Sequence, residues 1–166
     1  AALNALLPFV LRRGTARLPD LTSFSAALDE LYGGAIEPAV RKCGDMQCIG
    51  FEASFLDDAC VPDGTNILEQ AASLLGELLL HPATKNDRLR QDYVLSERKN
   101  LIQMIRSSRN DKRQYAQDRL IEEMFAGDDY AVGRFGTVDQ AEKINVTKLF
   151  AQYQTLLEQS PIELFY

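Results

Sequence analysis

The sequence predicts an α+β fold, an antiparallel or mixed sheet with helices packed on one face. Three observations point there. Ile49, Phe51, Ala53 and Phe55 alternate with Gly50, Glu52 and Ser54, the period-two pattern of a strand with one buried face. Before and after that stretch the apolar spacing changes to three or four, the period of helices that bury one stripe. The helices come in blocks rather than alternating singly with strands, which favours separate layers over a parallel βαβ weave.

Each element has its own signal. Ala2–Arg13 carries Leu3, Leu6, Leu7, Val10 and Leu11 at helical spacing, with Gly14 as the stop. Pro8 removes a backbone donor inside it, so the helix either kinks there or begins nearby. Leu21–Tyr32 places Leu21, Phe24, Leu28 and Leu31 on one face behind the cap candidates Asp20 and Thr22, and Gly33-Gly34 ends it. A hairpin follows, Ile36–Lys42 and Cys48–Leu56 around a Gly44-Asp45 turn. A loop from Asp57 to Gly64, containing Pro62, leads to a helix at Asn66–Leu80, where Asn66 and Glu69 have capping-box spacing. His81-Pro82 closes that helix.

Asn86–Ser108 reads as a long helix with Leu89, Tyr93, Leu101, Ile102 and Ile105 inside. Asp111–Phe125 reads as a further one using Tyr115, Leu120, Ile121 and Met124, the two forming a pair or one bent rod. A polar loop at Gly127–Gly136 precedes a helix at Val146–Gln159, and Ile162–Tyr166 reads as a closing strand.

Composition narrows the functional classes. The 166 residues are 46% hydrophobic, enough for a real core, and the length suits one domain spanning residues 1–166. Eighteen basic against twenty-four acidic residues leave −6, with no run of Lys or Arg to follow a phosphate backbone, so no nucleic-acid partner is expected. The longest apolar stretch, Ile67–Leu80, is interrupted by Glu69, Gln70 and Glu77, so no membrane span is expected either. Cys43, Cys48 and Cys60 are an odd number without a Cys-x-x-Cys pair, which suits free, buried or half-buried thiols in a cytoplasmic protein. The alternative is one bridge between Cys43 and Cys48 across the hairpin. A chain that opens on Ala1 in an apolar segment and closes on Pro161–Tyr166 is expected to be a fragment of a longer polypeptide.

The order of signals carries a resemblance. The helix ending in Gly14-Thr15, the Leu31-Tyr32-Gly33-Gly34 stop, the hairpin and the helix reaching His81-Pro82 resemble the first domain of pitrilysin-type peptidases. Ser96-Glu97-Arg98-Lys99-Asn100-Leu101 resembles that family's Glu-Arg pair on a long helix. Gly136-Thr137-Val138, Ile144-Asn145-Val146-Thr147, Leu149-Phe150 and Tyr153 resemble its connection to the closing helix and strand. The similarity runs from Ala5 to Tyr166. It implies one half-core of a pitrilysin/insulinase-type clamshell metallopeptidase.

Active members of that family are inverzincins, with an H-x-x-E-H helix that supplies two imidazole ligands and a general base for zinc-bound water. Counted back without gaps from Gly14-Thr15, the resemblance puts the two His positions on Ala5 and Phe9 and the base on Pro8. The third ligand, seven residues beyond the retained Glu97, falls on Met104, whose thioether is a poor zinc ligand. A one-residue shift selects Asn4, Leu7 and Pro8 and changes nothing. The single histidine, His81, rules out a two-histidine site in any register. No catalytic residue, cofactor or metal is therefore expected in this chain, zinc belonging to active relatives.

The remaining candidates have bland readings. His81 has no G-x-S-x-G nucleophile beside it and reads as a helix-ending residue. Glu97 reads as a helix-surface relic paired with Arg98 or Lys99. The apolar surface of Ala2–Arg13 is core packing or, alternatively, the wall of a chamber that still holds peptide. Asp57, Asp58, Asp63, Asp128 and Asp129 read as solvated loop charge without a calcium-loop pattern. The resemblance implies a non-catalytic, peptidase-like scaffold or regulatory partner. Its expected partners are a catalytic peptidase-family subunit or a second copy, and the peptide or protein substrate of the assembly. The alternative is part of an active zinc endopeptidase whose metal lies in another subunit or segment.

Overall fold

In the computed structural model, which describes residues 1–61 and 64–166, the hairpin and helices form as the period changes require. Helix α1 (Ala2–Leu11) is followed by α2 (Leu21–Glu30), strands β1 (Ala35–Cys43) and β2 (Met46–Ser54), and α3 (Ile67–Leu80). Next come α4 (Gln91–Ser107), α5 (Lys112–Met124), the short α6 (Val138–Glu142) and α7 (Val146–Gln159). Pro62 of the expected loop and Asp63 of the loop acids lie outside the described residues.

The two strands pair antiparallel, with Val40 opposite Ile49 and Pro38 opposite Phe51. Ile36 and Val40 are buried and Ile49 and Phe51 half-buried, so one face of the ribbon is covered, and α1 lies against both strands. Helix α1 organises the core. Ala2, Ala5, Leu6, Leu7, Val10 and Leu11 are all buried, more than one stripe, as in a helix with neighbours on several sides. Those neighbours are α4, α6, α7 and the hairpin. Leu6, Val94, Leu101 and Leu149 pack there, and each fully buried side chain of this size contributes about 1.5–3 kcal/mol. A second cluster joins Phe24 and Leu28 of α2 to Ile36 of β1 and Leu74 and Leu78 of α3.

Local chemistry sets the ends. Asp20 accepts from Ser23 N at 2.8 Å while Ser23 Oγ accepts from Asp20 N, so Asp20 rather than Thr22 caps α2. Asn66 accepts from Glu69 N at 3.1 Å as its spacing predicts. Asp58 reinforces that end by accepting from Ile67 N and Leu68 N, so this acid is part of a helix start rather than plain solvated charge. Asp57 and Asp128 likewise accept backbone N–H groups, from Ala59 and Tyr130.

Several expectations need correction. Helix α1 does not begin near Pro8: it starts at Ala2 and runs through the proline, and Arg12 N donates to Pro8 O at 3.0 Å. Helix α4 begins at Gln91 rather than Asn86, because Asn86 and Asp87 adopt left-handed φ of 53° and 55°, which a right-handed helix excludes. In α5 no residue is buried: Leu120 and Met124 are 58% and 67% exposed, where the apolar spacing predicted an inward face. Residues 161–166 form no strand: the described sheet holds β1 and β2 alone, and these exposed residues pair with neither. All three cysteines are free, as expected, but exposed rather than buried. Register explains the missing bridge: Cys48 lies opposite Arg41 and Cys43 opposite Met46, so the two thiols are diagonal neighbours. No helix among the described residues is long and apolar enough to cross a membrane.

Candidate functional site

The two sequence signatures at helix ends, Gly14-Thr15 and His81-Pro82, meet in space. Thr15 pairs with Pro82 as an isolated antiparallel bridge, Ala83 N donates to Gly14 O at 3.0 Å, and Ala16 N donates to His81 O at 2.8 Å. A Cβ on Gly14 would fall 2.6 Å from Leu18 O, so only glycine allows the chain to turn back here. Thr15, fully buried, donates its hydroxyl to Glu77 at 3.2 Å and accepts from Leu18 N at 2.9 Å. His81 caps α3 and is itself exposed, in line with its reading as a helix-ending residue. Gly136 performs a similar service at the other end of α1: at φ +68°, a Cβ there would lie 2.7 Å from Ala2 N.

The junction frames the contact of α1 with α4. Ala5 and Pro8 are buried, and Phe9 and Met104 are half-buried. A methyl group, a pyrrolidine ring and a phenyl ring offer no lone pair to a metal or a water proton. The thioether of Met104 suits soft copper rather than zinc. The residues present at these positions do not fit zinc, and among the described residues no group of three or more His, Cys, Asp or Glu could hold a metal ion.

Glu97 is where the structure departs furthest from expectation. Instead of a surface charge beside Arg98 or Lys99, it is buried, its carboxylate 3.1 Å from Arg13 at the end of α1. Asn100 Nδ2 donates to the second oxygen at 3.1 Å. Arg13 stacks over the Tyr93 ring with its guanidinium carbon 5.0 Å from the centroid, Arg90 approaches the same ring at 4.3 Å, and the Tyr93 hydroxyl donates to Pro19 O. Arg90 in turn bonds Asp92, which holds that carboxyl below the usual range. Arg98 serves elsewhere, donating to Ile144 O at 2.8 Å.

The electrostatics of this cluster favour structure over chemistry. A carboxylate held by a guanidinium and an amide is kept as the paired anion, and its desolvation is repaid only while both partners stay. Arg13 Nε, buried and without an acceptor, shows that the cluster is not fully satisfied. Sequence reading missed Arg13 because it lies 84 residues from Glu97 and nothing local links them. For the same reason it gave no sign of the bond from Thr15 to Glu77 or of that from Tyr153, whose hydroxyl donates to Leu79 O at 2.7 Å and whose burial pushes its pKa up.

Comparisons with known proteins fit this picture. The chain is 34% identical over 162 residues to "Probable inactive metalloprotease YmfF" of Bacillus subtilis, a match that takes in 98% of the chain and 38% of that protein. A conserved protein from Enterococcus faecalis of known crystal structure superposes with a TM-score of 0.83 at 24% identity, over 94% of this chain and 37% of that one. A peptidase M16 inactive domain from Pseudomonas fluorescens superposes with a TM-score of 0.66 at 16% identity, over 92% of this chain and 33% of its own. The two structural likenesses establish a shared fold. The chain spans little more than a third of the length of these relatives, and no family model matches it.

Proposed function

We propose that the chain is a degenerate relative of the M16 peptidases, non-catalytic on its own, that serves as a scaffold or regulatory partner of an active metallopeptidase. In this reading Ala5, Pro8, Phe9 and Met104 occupy the former ligand and base positions, and α1 stiffens one wall of a chamber that holds peptide. The observation that carries the reading is the replacement of metal chemistry by packing: carbon at the first three positions, and Glu97 tied to Arg13 and Asn100. The partner is a zinc-bearing peptidase subunit or a second, metal-competent half of a longer polypeptide, and the ligand of the assembly is a peptide or unfolded protein segment. Three free thiols support a reducing, cytoplasmic setting.

The test is zinc content by plasma mass spectrometry on chelator-washed, zinc-reloaded chain, paired with an internally quenched peptide assay and anisotropy of the same peptide. Folded chain that holds no stoichiometric zinc, cleaves nothing and binds the peptide is the expected result. Stoichiometric zinc with chelator-sensitive cleavage by the chain alone overturns the non-catalytic reading. Absence of peptide binding overturns the chamber.

A further inference from the structure

The end of α5 and the tip of the hairpin form a surface that the α1–α4 reading does not use. Ile121 and Phe125, with Tyr130 from the following turn, floor an open cleft of about 340 Å³, and Asp45 and Asp128 stand on its rim. The floor is ordered: Phe125 and Tyr130 meet edge to face at 4.7 Å. One wall is tied to the hairpin. Lys42 donates to the carbonyls of Asp129, Tyr130 and Val132 at 3.1, 2.6 and 2.7 Å and lies 5.0 Å from the Tyr130 ring centroid. Beside the cleft, Leu120 and Met124 on α5 and Met46 on the hairpin are 58%, 67% and 69% exposed.

Two physical arguments say that something covers this surface. A helix of thirteen residues with none buried is marginal in water, since capping and neighbouring side-chain pairs contribute only tenths of a kcal/mol to about one each. Clustered large apolar side chains rimmed by charge mark interaction sites rather than ordinary surface. Charge then selects the occupant. Asp45, Glu122, Glu123, Asp128 and Asp129 stand against Lys42, Arg119 and Arg134, five acids to three bases. Arg119 is already bonded to Glu122 and Glu123, and Lys42 is engaged by backbone carbonyls. No ion pair among the described residues neutralises Asp45, Asp128 or Asp129.

We infer that this cleft docks a polypeptide segment in which Lys or Arg is flanked by apolar side chains. The aliphatic stem of the basic residue lies on Phe125 and Tyr130, its cation meets Asp45 and Asp128, and the neighbouring apolar residues cover Leu120 and Met124. This surface is separate from the α1–α4 site, and its failure would leave the scaffold reading untouched.

The probe is a short dye-labelled peptide of Leu and Lys, with a Leu and Glu peptide of the same length as control, titrated into the full chain and read by anisotropy. Saturable binding of the basic peptide alone, weakened by salt, is expected. Asp45→Asn combined with Asp128→Asn keeps the turn and the cap that these positions need, and is expected to weaken binding about tenfold and flatten its salt dependence. Met124→Lys, on an exposed position that folding does not use, is expected to weaken it as well. Equal binding of the acidic peptide, or unchanged binding by the Asn variant, overturns the proposal. Concentration-dependent dimerisation in sedimentation that Met124→Lys abolishes also overturns it, and assigns the surface to a second copy.

Discussion

Helices α4 and α5 follow each other along the chain with similar apolar spacing, yet they live in different environments. In α4, Tyr93, Val94, Glu97 and Leu101 are buried against α1 and its neighbours. In α5 nothing is buried, and the helix rests on its Asp111 cap, the Arg119 pairs with Glu122 and Glu123, and the turn at Asp129–Ala131. The difference teaches that apolar periodicity states which face of a helix wants to be covered and leaves open what covers it. For α4 the answer is the rest of the chain. For α5 no described residue buries it.

Core truncation gives the sharpest contrast. Leu101→Ala, at a position 1% exposed, is expected to cost about 2–5 kcal/mol in urea unfolding, whereas Leu120→Ala in α5 is expected to stay within about 0.5 kcal/mol. Equal losses would mean that α5 is packed in solution and would break the comparison. Next comes the ion pair that joins α4 to α1. Glu97→Gln leaves Arg13 partly buried without its anion and is expected to cost about 2–3 kcal/mol. Combining it with Arg13→Met is expected to recover much of that loss, because both charges are then gone. A double variant as unstable as the sum of the singles would show that the two side chains do not act as a pair.

Smaller effects sharpen the α5 side. Asp111→Ala removes the acceptor for Arg113 N and Gln114 N and is expected to cost about 1 kcal/mol locally. Hydrogen exchange should then speed up within residues 112–124 while the global unfolding midpoint stays in place. A shifted midpoint would couple α5 to the core. The smallest effect is a pH dependence at α2. The N–H and hydroxyl of Ser23 hold the Asp20 pKa below its ordinary 3.8, so the cap is at full strength above about pH 4 and is lost as pH falls through the lowered value. Asp20→Asn keeps an acceptor without the titration and is expected to flatten the acid limb of stability. An unchanged acid limb would remove Asp20 as its source.

Much of the fold was legible because it rests on short-range rules. The hairpin, the Asn66 cap and the bounds of α7 follow from alternation, capping chemistry and period, all within a few residues of one another. What escaped was decided across the chain. The Arg13–Glu97 pair and the Thr15–Glu77 bond join α1 and its exit to helices far along the sequence, and no local pattern announces them. Ile162–Tyr166 has the composition of a strand, but composition supplies no partner for its backbone. The short α6 also escaped: its Thr137 and Gln140 capping box lies between the loop read at Gly127–Gly136 and the helix read at Val146–Gln159. The site was legible chiefly by subtraction: one histidine was enough to expect no two-histidine centre, while the basic residue that takes up Glu97 could be found only in three dimensions.

The clasp between Gly14-Thr15 and His81-Pro82 also bears on the order of assembly. Thr15 and Glu77 are 62 residues apart, so their bond closes a long loop that contains α2, the hairpin and most of α3. Closing such a loop carries an entropy that local pairing avoids, so the hairpin turn and the helices have the kinetic advantage. A contact that forms late contributes little to the folding barrier and much to the barrier against opening. In this chain the clasp is therefore expected to act as a latch, setting how long the native state lasts rather than how fast it is reached.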